Sequence, residues 1–181
     1  MLATAILITK DKEYPKEVLD SLPDFDEVIV ETECPSILRR YELALKAKND
    51  IIYVQDDDCI VDVEALRSLY KGRITNAISP QHYNFYKDTG VTLIGWGAFF
   101  PKKMINFDPY LDVYGVSPLF LTQADRVFTY LNQPFNSVIM DINHLPSATA
   151  DDRMSTTAGH WENLNQINRQ LHDLPKSTYN R

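Results

Sequence analysis

Residues 51–58 read Ile51-Ile52-Tyr53-Val54-Gln55-Asp56-Asp57-Asp58. Four apolar or aromatic residues in a row suit a short strand buried on both faces, as parallel strands are. The chain then meets three carboxylates without a break. Like charges a few ångströms apart raise one another's pKa unless a cation sits among them, and directly after a buried strand they cannot all turn to water. A solvated turn or a helix N-cap would also use Asp. A run of three at a strand end favours the other reading, a hard divalent cation. Carboxylates suit Mg2+ or Mn2+, which keep several waters and accept phosphate oxygens.

Working upstream, residues 3–9 (Ala-Thr-Ala-Ile-Leu-Ile-Thr) form a first buried strand and residues 27–31 a second. A short helix lies between them, opened by Pro15 and stopped by Pro23. Pro35 opens a longer helix to Lys48, with Ile37, Leu38, Tyr41, Ala44 and Leu45 on one side. Strand, helix, strand, helix, strand predicts a mostly parallel α/β sheet. Such sheets take ligands beyond the carboxyl ends of their strands, where the crossover direction reverses. The triplet falls at such a place.

Downstream, residues 63–70 read as a helix, 74–79 and 92–100 as strands, and 101–118 as loop. Residues 119–131 read as a helix and 137–142 as a last strand. The polar stretch 144–159 is expected as a mobile loop that closes over a ligand, and residues 161–171 as a final helix. The expected organisation is one compact domain over residues 1–174 with a frayed tail over 175–181.

The 181 residues, 44% hydrophobic, suffice for one sizeable core. The net charge of −7 gives no basic face for duplex nucleic acid. Cys34 and Cys59 make no zinc spacing and read as free thiols. No stretch is long enough to span a bilayer, and the N-terminal apolar run lacks the marks of a signal peptide, so a soluble, cytoplasmic protein is expected.

The segment 51–58 resembles the hydrophobic strand and DxD motif of GT-A glycosyltransferases. The preceding helix, with Arg39-Arg40-Tyr41 and Ala44, is similar to the segment before DxD in that superfamily. Gly95-Trp96-Gly97-Ala98-Phe99-Phe100 resembles its small-residue strand, and Ala124-Asp125 stands where many members carry an acidic pair, so only Asp125 carries over. Within the superfamily the exostosin-like group is the nearest likeness, on the DDD triplet and on Ser155, His160 and Ile167-Asn168-Arg169; the spacing differs by about one residue and the Arg after the His is missing.

The resemblance implies a GT-A, Rossmann-like sheet flanked by helices and transfer of a sugar from a nucleotide-diphosphate sugar, a UDP-sugar by preference, to a hydroxyl of an unidentified acceptor. It implies Mn2+ or Mg2+, with Asp58 on the metal and Asp56 on the metal through water or on the ribose. Asp57 is structural or part of the donor site. Thr9, Lys10 and Glu31, at strand ends, fall where base and ribose are held. Arg39 and Arg40 would meet base or diphosphate, which guanidinium suits; surface charges are the plain alternative. Trp96, Gly97 and Ala98 would border the sugar, although Trp96 also suits a core. Arg153 would join from the polar loop. His144 and His160 are further candidate metal ligands. Asp125 is the candidate catalytic carboxylate, either a base for the acceptor hydroxyl or a group beside the anomeric carbon. Its plain alternative is N3 of a helix capped by Thr122.

Two other readings are weaker. A sugar-nucleotide nucleotidyltransferase would carry a glycine-rich loop after the first strand, where this chain has Thr9-Lys10-Asp11-Lys12-Glu13. A non-catalytic metal- or nucleotide-binding relative is the other; calcium loops space their ligands around a glycine turn, and no glycine adjoins the triplet.

Overall fold

The computed structural model of the chain describes residues 1–145 and 159–175. Its centre is a six-stranded sheet in the order β2-β1-β3-β6-β5-β7, built from β1 (Thr4–Ile8), β2 (Glu27–Glu31), β3 (Ile51–Gln55), β5 (Thr75–Ile78), β6 (Ala98–Pro101) and β7 (Asn136–Ile139). All pairings are parallel except those of β6, which runs antiparallel to both β3 and β5. The expected mixed, mostly parallel α/β architecture is the one observed. A two-residue strand β4 (Cys59–Ile60) pairs antiparallel with β8 (Asn143–His144) outside the main sheet.

Helices α1 (Lys16–Ser21) and α2 (Leu38–Lys46) follow β1 and β2. Strand β1 lies between β2 and β3, so the chain crosses one way to β2 and the other way to β3. Right-handed crossovers in opposite directions put the two helices on opposite faces. Successive β1 residues record this: Leu7 packs with Val18 of α1, whereas Ile6 and Ile8 join the larger core under α2.

That larger core lies between the sheet and α2, α6 (Pro118–Leu131) and α7 (His160–Asp173). Aromatic rings dominate it: Tyr41 meets Phe128 at 4.9 Å and Phe107 edge-on at 5.0 Å, and Phe100 meets Phe128 at 4.8 Å. Such rings bury much area each and prefer these tilted geometries. The opposite face packs on α3 (Val63–Ser68), capped by Asp62, whose side chain accepts from Ala65 N at 2.9 Å.

Four sequence expectations change. The stretch 101–118 is not all loop: it holds helix α5 (Asp108–Tyr114), with Pro109 in its first turn. The strand expected over 92–100 is confined to Ala98–Pro101, because Asn76 draws the preceding backbone aside, donating to Leu93 O and Thr92 Oγ1. Residues 80–86, not assigned from sequence, form helix α4 (Pro80–Tyr86), capped by Ser79. His144 lies on β8 and not in a loop. Of the expected mobile loop, residues 146–158 lie outside the described set. So does the expected tail, except Pro175. No helix among the described residues is long and apolar enough to cross a membrane.

Candidate functional site

The triplet is clamped at both ends. Gln55, fully buried at the end of β3, donates from Nε2 to Cys59 O at 2.6 Å, across the three aspartates, and accepts from Tyr53 Oη. Tyr14 Oη donates to Gln55 O at 3.3 Å. On the far side, Leu145 N donates to Asp58 O at 2.9 Å, which ties the turn to β8. A buried amide with its hydrogen bonds made fixes a backbone far better than an exposed one. The carboxylates are therefore held at the carboxyl edge of the sheet, beside the switch point between β1 and β3.

Asp56 has the tightest surroundings. Its N–H donates to Gly95 O at 2.5 Å, and a Cβ on Gly95 would lie 2.0 Å from Asp56 Oδ2. Only glycine leaves room for that carboxylate. Gly97 carries a φ of 111°, and its own Cβ would come within 2.9 Å of Tyr53 Oη. These two glycines let the 94–97 turn pass directly over β3.

Arg40, on the first turn of α2, reaches this carboxylate from the core side. The residue is 2% exposed. Nη2 donates to Asp56 Oδ1 at 2.5 Å and Nη1 to Asp125 Oδ2 at 2.8 Å. Tyr41 Oη donates to the other oxygen of Asp125 at 2.8 Å. The buried Nε has no partner among the described residues. Thr122 is not the cap of a turn holding Asp125: helix α6 starts at Pro118 under a Ser117 cap, and Thr122 bonds back to Pro118 O and Leu119 O. Asp125 follows on the same element. The helix leaves helical dihedrals at Gln123, just before it.

The charge balance is lopsided. Burial pushes the Asp125 carboxyl above the usual carboxylate range, with Arg40 and Tyr41 opposing the shift and Asp56 adding to it. Burial also raises Asp57, with Thr9 opposing and the Asp56 charge reinforcing. Thr9 Oγ1 donates to Asp57 Oδ2, which joins the end of β1 to the triplet across the switch point. Burial pushes the Tyr14 and Cys59 protons further from ionising, and the aspartates add to that.

A second group forms at the end of β2. Arg39 grips Glu31 with both Nε (2.6 Å) and Nη2 (2.9 Å) and also pairs with Glu42 at 2.8 Å. The Arg39 bonds hold the Glu31 carboxyl below its ordinary range. Lys10 is exposed beside this group. Trp96 lies between two imidazoles, His82 at 4.6 Å and His144 at 5.1 Å, and is partly exposed. Ala98 is fully buried in the sheet opposite Val54, so its side chain lines the core.

The sequence-derived residues therefore gather in three places: Asp56, Asp57, Asp125, Arg40 and Thr9; Glu31 with Arg39; and Trp96 with His144. His144 faces Cys59 across the short ladder, one residue from Asp58. His160 opens α7, with its side chain outside the described set, and Arg153 and Ser155 lie wholly outside it. Among the described residues no three His, Cys, Asp or Glu side chains converge as a metal cage. Tyr41, Gly95 and His82 were missed. A glycine inside an expected strand signals a bend or a close backbone approach, and Gly95, within the strand expected over 92–100, could have been found that way. Tyr41 and His82 are contacts of the tertiary fold and left no local mark.

No protein-family model matches the chain, and no curated protein matches it in sequence. Among solved structures it is similar to a mannosyltransferase from Pyrobaculum calidifontis described in complex with GDP-Man and Mn2+, with a TM-score of 0.53 and 12% identity. The match covers 92% of this chain and 64% of that one. At that identity the likeness establishes a shared fold, a Rossmann-like, mostly parallel α/β sheet flanked by helices.

Proposed function

We propose that this chain is a metal-dependent glycosyltransferase that moves a sugar from a nucleotide-diphosphate sugar to an acceptor hydroxyl. The observation that carries the reading is Arg40 joining Asp56, at the end of a parallel strand, to Asp125 on α6. One buried guanidinium thereby fixes two carboxylates at the carboxyl edge of the sheet, where open α/β folds take their ligands. The fold shared with a mannosyltransferase supports it.

The residues suit a hard cation of the Mg2+ or Mn2+ kind, because such ions need only one or two carboxylates and complete their shell with water and phosphate oxygens. That no three-ligand cage forms among the described residues is compatible with that demand. Asp58 and Asp56 would hold the ion, and His144 is the histidine placed nearest in sequence pairing. When bound, the cation supplies positive charge to the diphosphate leaving group.

The chain's own residues do the rest. Arg40 and Tyr41 orient Asp125 and favour its ionised form, so that it can accept a proton from the acceptor hydroxyl or face the anomeric carbon. Glu31 and Arg39, beside Thr9 and Lys10, offer acceptor and donor groups for base and ribose. Trp96 offers a partly exposed indole face to a sugar ring. We take UDP as the first nucleotide to test, with GDP beside it because GDP-Man is named for the structural neighbour. The unit that acts is residues 1–174.

A thermal-shift titration with UDP, GDP and their sugars, with and without Mn2+, tests the reading. Stabilisation should require nucleotide and metal together and vanish in Asp58→Asn. Stabilisation by Ca2+ alone, indifferent to nucleotide, would replace this reading with a metal-binding module.

A further inference from the structure

A cavity of about 240 Å3 opens between α4 and β7, lined by Tyr83, Tyr86, Lys87, Asn136 and Ser137 among others, with no Asp or Glu in its wall. It is smaller than the roughly 300–1,000 Å3 of drug-sized sites, which limits it to about one sugar-sized unit. Behind Tyr86 stands Arg126 of α6. Its Nη2 donates to Tyr86 Oη at 3.2 Å, its Nη1 donates to Asn168 Oδ1 at 3.1 Å, and its guanidinium lies 5.6 Å from the Tyr86 ring centre. Both acceptors are neutral.

Among the described residues no carboxylate comes within ion-pair distance of Arg126 or Lys87. Burial accordingly pulls the Arg126 pKa down, with Tyr86 partly opposing. A half-buried cation held only by neutral groups is costly. This chain has a surplus of acids, at a net charge of −7, yet among the described residues none lines this cavity. Tyr86 Oη accepts from Arg126, so its own O–H is directed to some other acceptor, and the cation behind it strengthens that donation.

We propose that this cavity is an anion-binding subsite, with Tyr86 and Lys87 receiving a carboxylate or phosphate group borne by the acceptor and Arg126, outside the cavity wall, polarising the Tyr86 hydroxyl from behind. The assignment to the acceptor rests on the glycosyl-transfer reading; the anion site does not. Helix α4 links the two places. His82 packs on Trp96 at 4.6 Å, Trp96 adjoins the Gly95 that abuts Asp56, and Tyr86 stands four residues beyond His82, about 6 Å along the axis.

Calorimetric titration of the full chain, in EDTA, with inorganic phosphate, glucuronate and neutral glucose is the test. Phosphate or glucuronate should bind and glucose should not, with affinity falling as salt rises; the tighter anion identifies the group. Lys87→Gln should weaken binding about tenfold, the loss expected for one charge-assisted hydrogen bond, and Arg126→Gln should weaken it less, because it acts through Tyr86. Lys87 is exposed, so its variant keeps the test decisive should Arg126→Gln fail to fold. Equal anion binding by Lys87→Gln and the parent, or none by the parent, overturns the site, because Arg126 would then be only a staple between helices. UDP with Mn2+ is titrated in parallel: loss of that response with anion binding intact would sink the transfer reading and leave this subsite standing.

Discussion

Arg40 and Asp125 are 85 positions apart in the chain and meet through a 2.8 Å hydrogen bond, while the same guanidinium holds Asp56 at 2.5 Å. A buried ion group of this kind carries a large desolvation cost, so removing one member leaves the others stranded. Arg40→Met should lower stability by about 3–5 kcal/mol, read as an earlier urea midpoint. Arg40→Met with Asp125→Leu should recover much of the loss, since the Asp125 charge is then no longer left without its partner. An unchanged midpoint for the single variant would mean that the guanidinium is not desolvated as described.

Gly95 gives a sharper handle on the site, because the fault it introduces is local. Its added Cβ would lie 2.0 Å from Asp56 Oδ2, so Gly95→Ala must swing the carboxylate away or shift the turn. The expected outcome is a folded protein, judged by far-ultraviolet circular dichroism, with metal-dependent nucleotide affinity weakened at least about tenfold, which is ~1.4 kcal/mol. Undiminished affinity would show that Asp56 does not have to stand where it does.

These two relationships mark what the sequence disclosed and what it withheld. The parallel core was legible because strands buried on both faces read as unbroken apolar runs, as in 3–9 and 51–54. The triplet stood out because three contiguous carboxylates are electrostatically costly anywhere but at a cation or in open water; that Asp56 turns to Arg40 and Asp57 to Thr9 was not visible. The placement of Asp125 was legible only as a residue type. Its helix was expected to begin later than Pro118, because Ser117 was not recognised as the cap, and so Thr122 was offered as a cap although its hydroxyl bonds back to Pro118 O and Leu119 O. The turn over β3 was read as strand because 92–100 is apolar; what breaks it is Asn76, a distant residue whose amide takes up the Thr92 and Leu93 groups. Contacts of that range, like Tyr41 on Asp125 or His82 on Trp96, have no periodic signature.

Asp57 supplies a prediction about pH. Burial and the neighbouring Asp56 charge raise its pKa in the folded state. The folded protein therefore holds that proton more tightly than the unfolded chain does. The resulting instability is fully present above the folded pKa and is relieved as pH falls towards the ordinary carboxylate range. Asp57→Asn, whose amide oxygen still accepts from Thr9, should raise the Tm at pH 7, by about 2–4 °C for each ~1 kcal/mol relieved. The gain should shrink as the pH is lowered through the raised Asp57 range. Added Mn2+ should likewise stabilise the parent more at pH 7 than at pH 5. A gain from Asp57→Asn that does not vary with pH would assign it to packing and not to charge.

Both thiols should be inert in the native state. Cys34 and Cys59 are buried, and burial raises the pKa of each, so little thiolate forms near neutrality. A thiol-specific chromogenic reagent should react with neither at pH 7.5 until denaturant is added, and should then titrate two groups per chain, as the sequence contains two cysteines. Rapid reaction of Cys59 in the native protein would mean that the turn carrying Asp56 to Asp58 opens readily, which the clamp by Gln55 does not allow.

Tyr41 separates support of the core from support of the reaction, since its ring packs against Phe107 and Phe128 while its hydroxyl reaches Asp125. Tyr41→Phe keeps the ring and removes only the donor, a change of about 1 kcal/mol in stability. The lost hydrogen bond favoured the ionised carboxylate, so the Asp125 pKa, already raised by burial, should rise further. If transfer uses ionised Asp125, the acidic limb of the kcat/KM profile should move to higher pH in Tyr41→Phe while the rate on the plateau changes less. Asp125→Asn should remove that limb and cost about 10²–10⁴ in rate. A profile whose acidic limb stays fixed in Tyr41→Phe would mean that another group titrates there, and Asp125 would then serve only to hold Arg40.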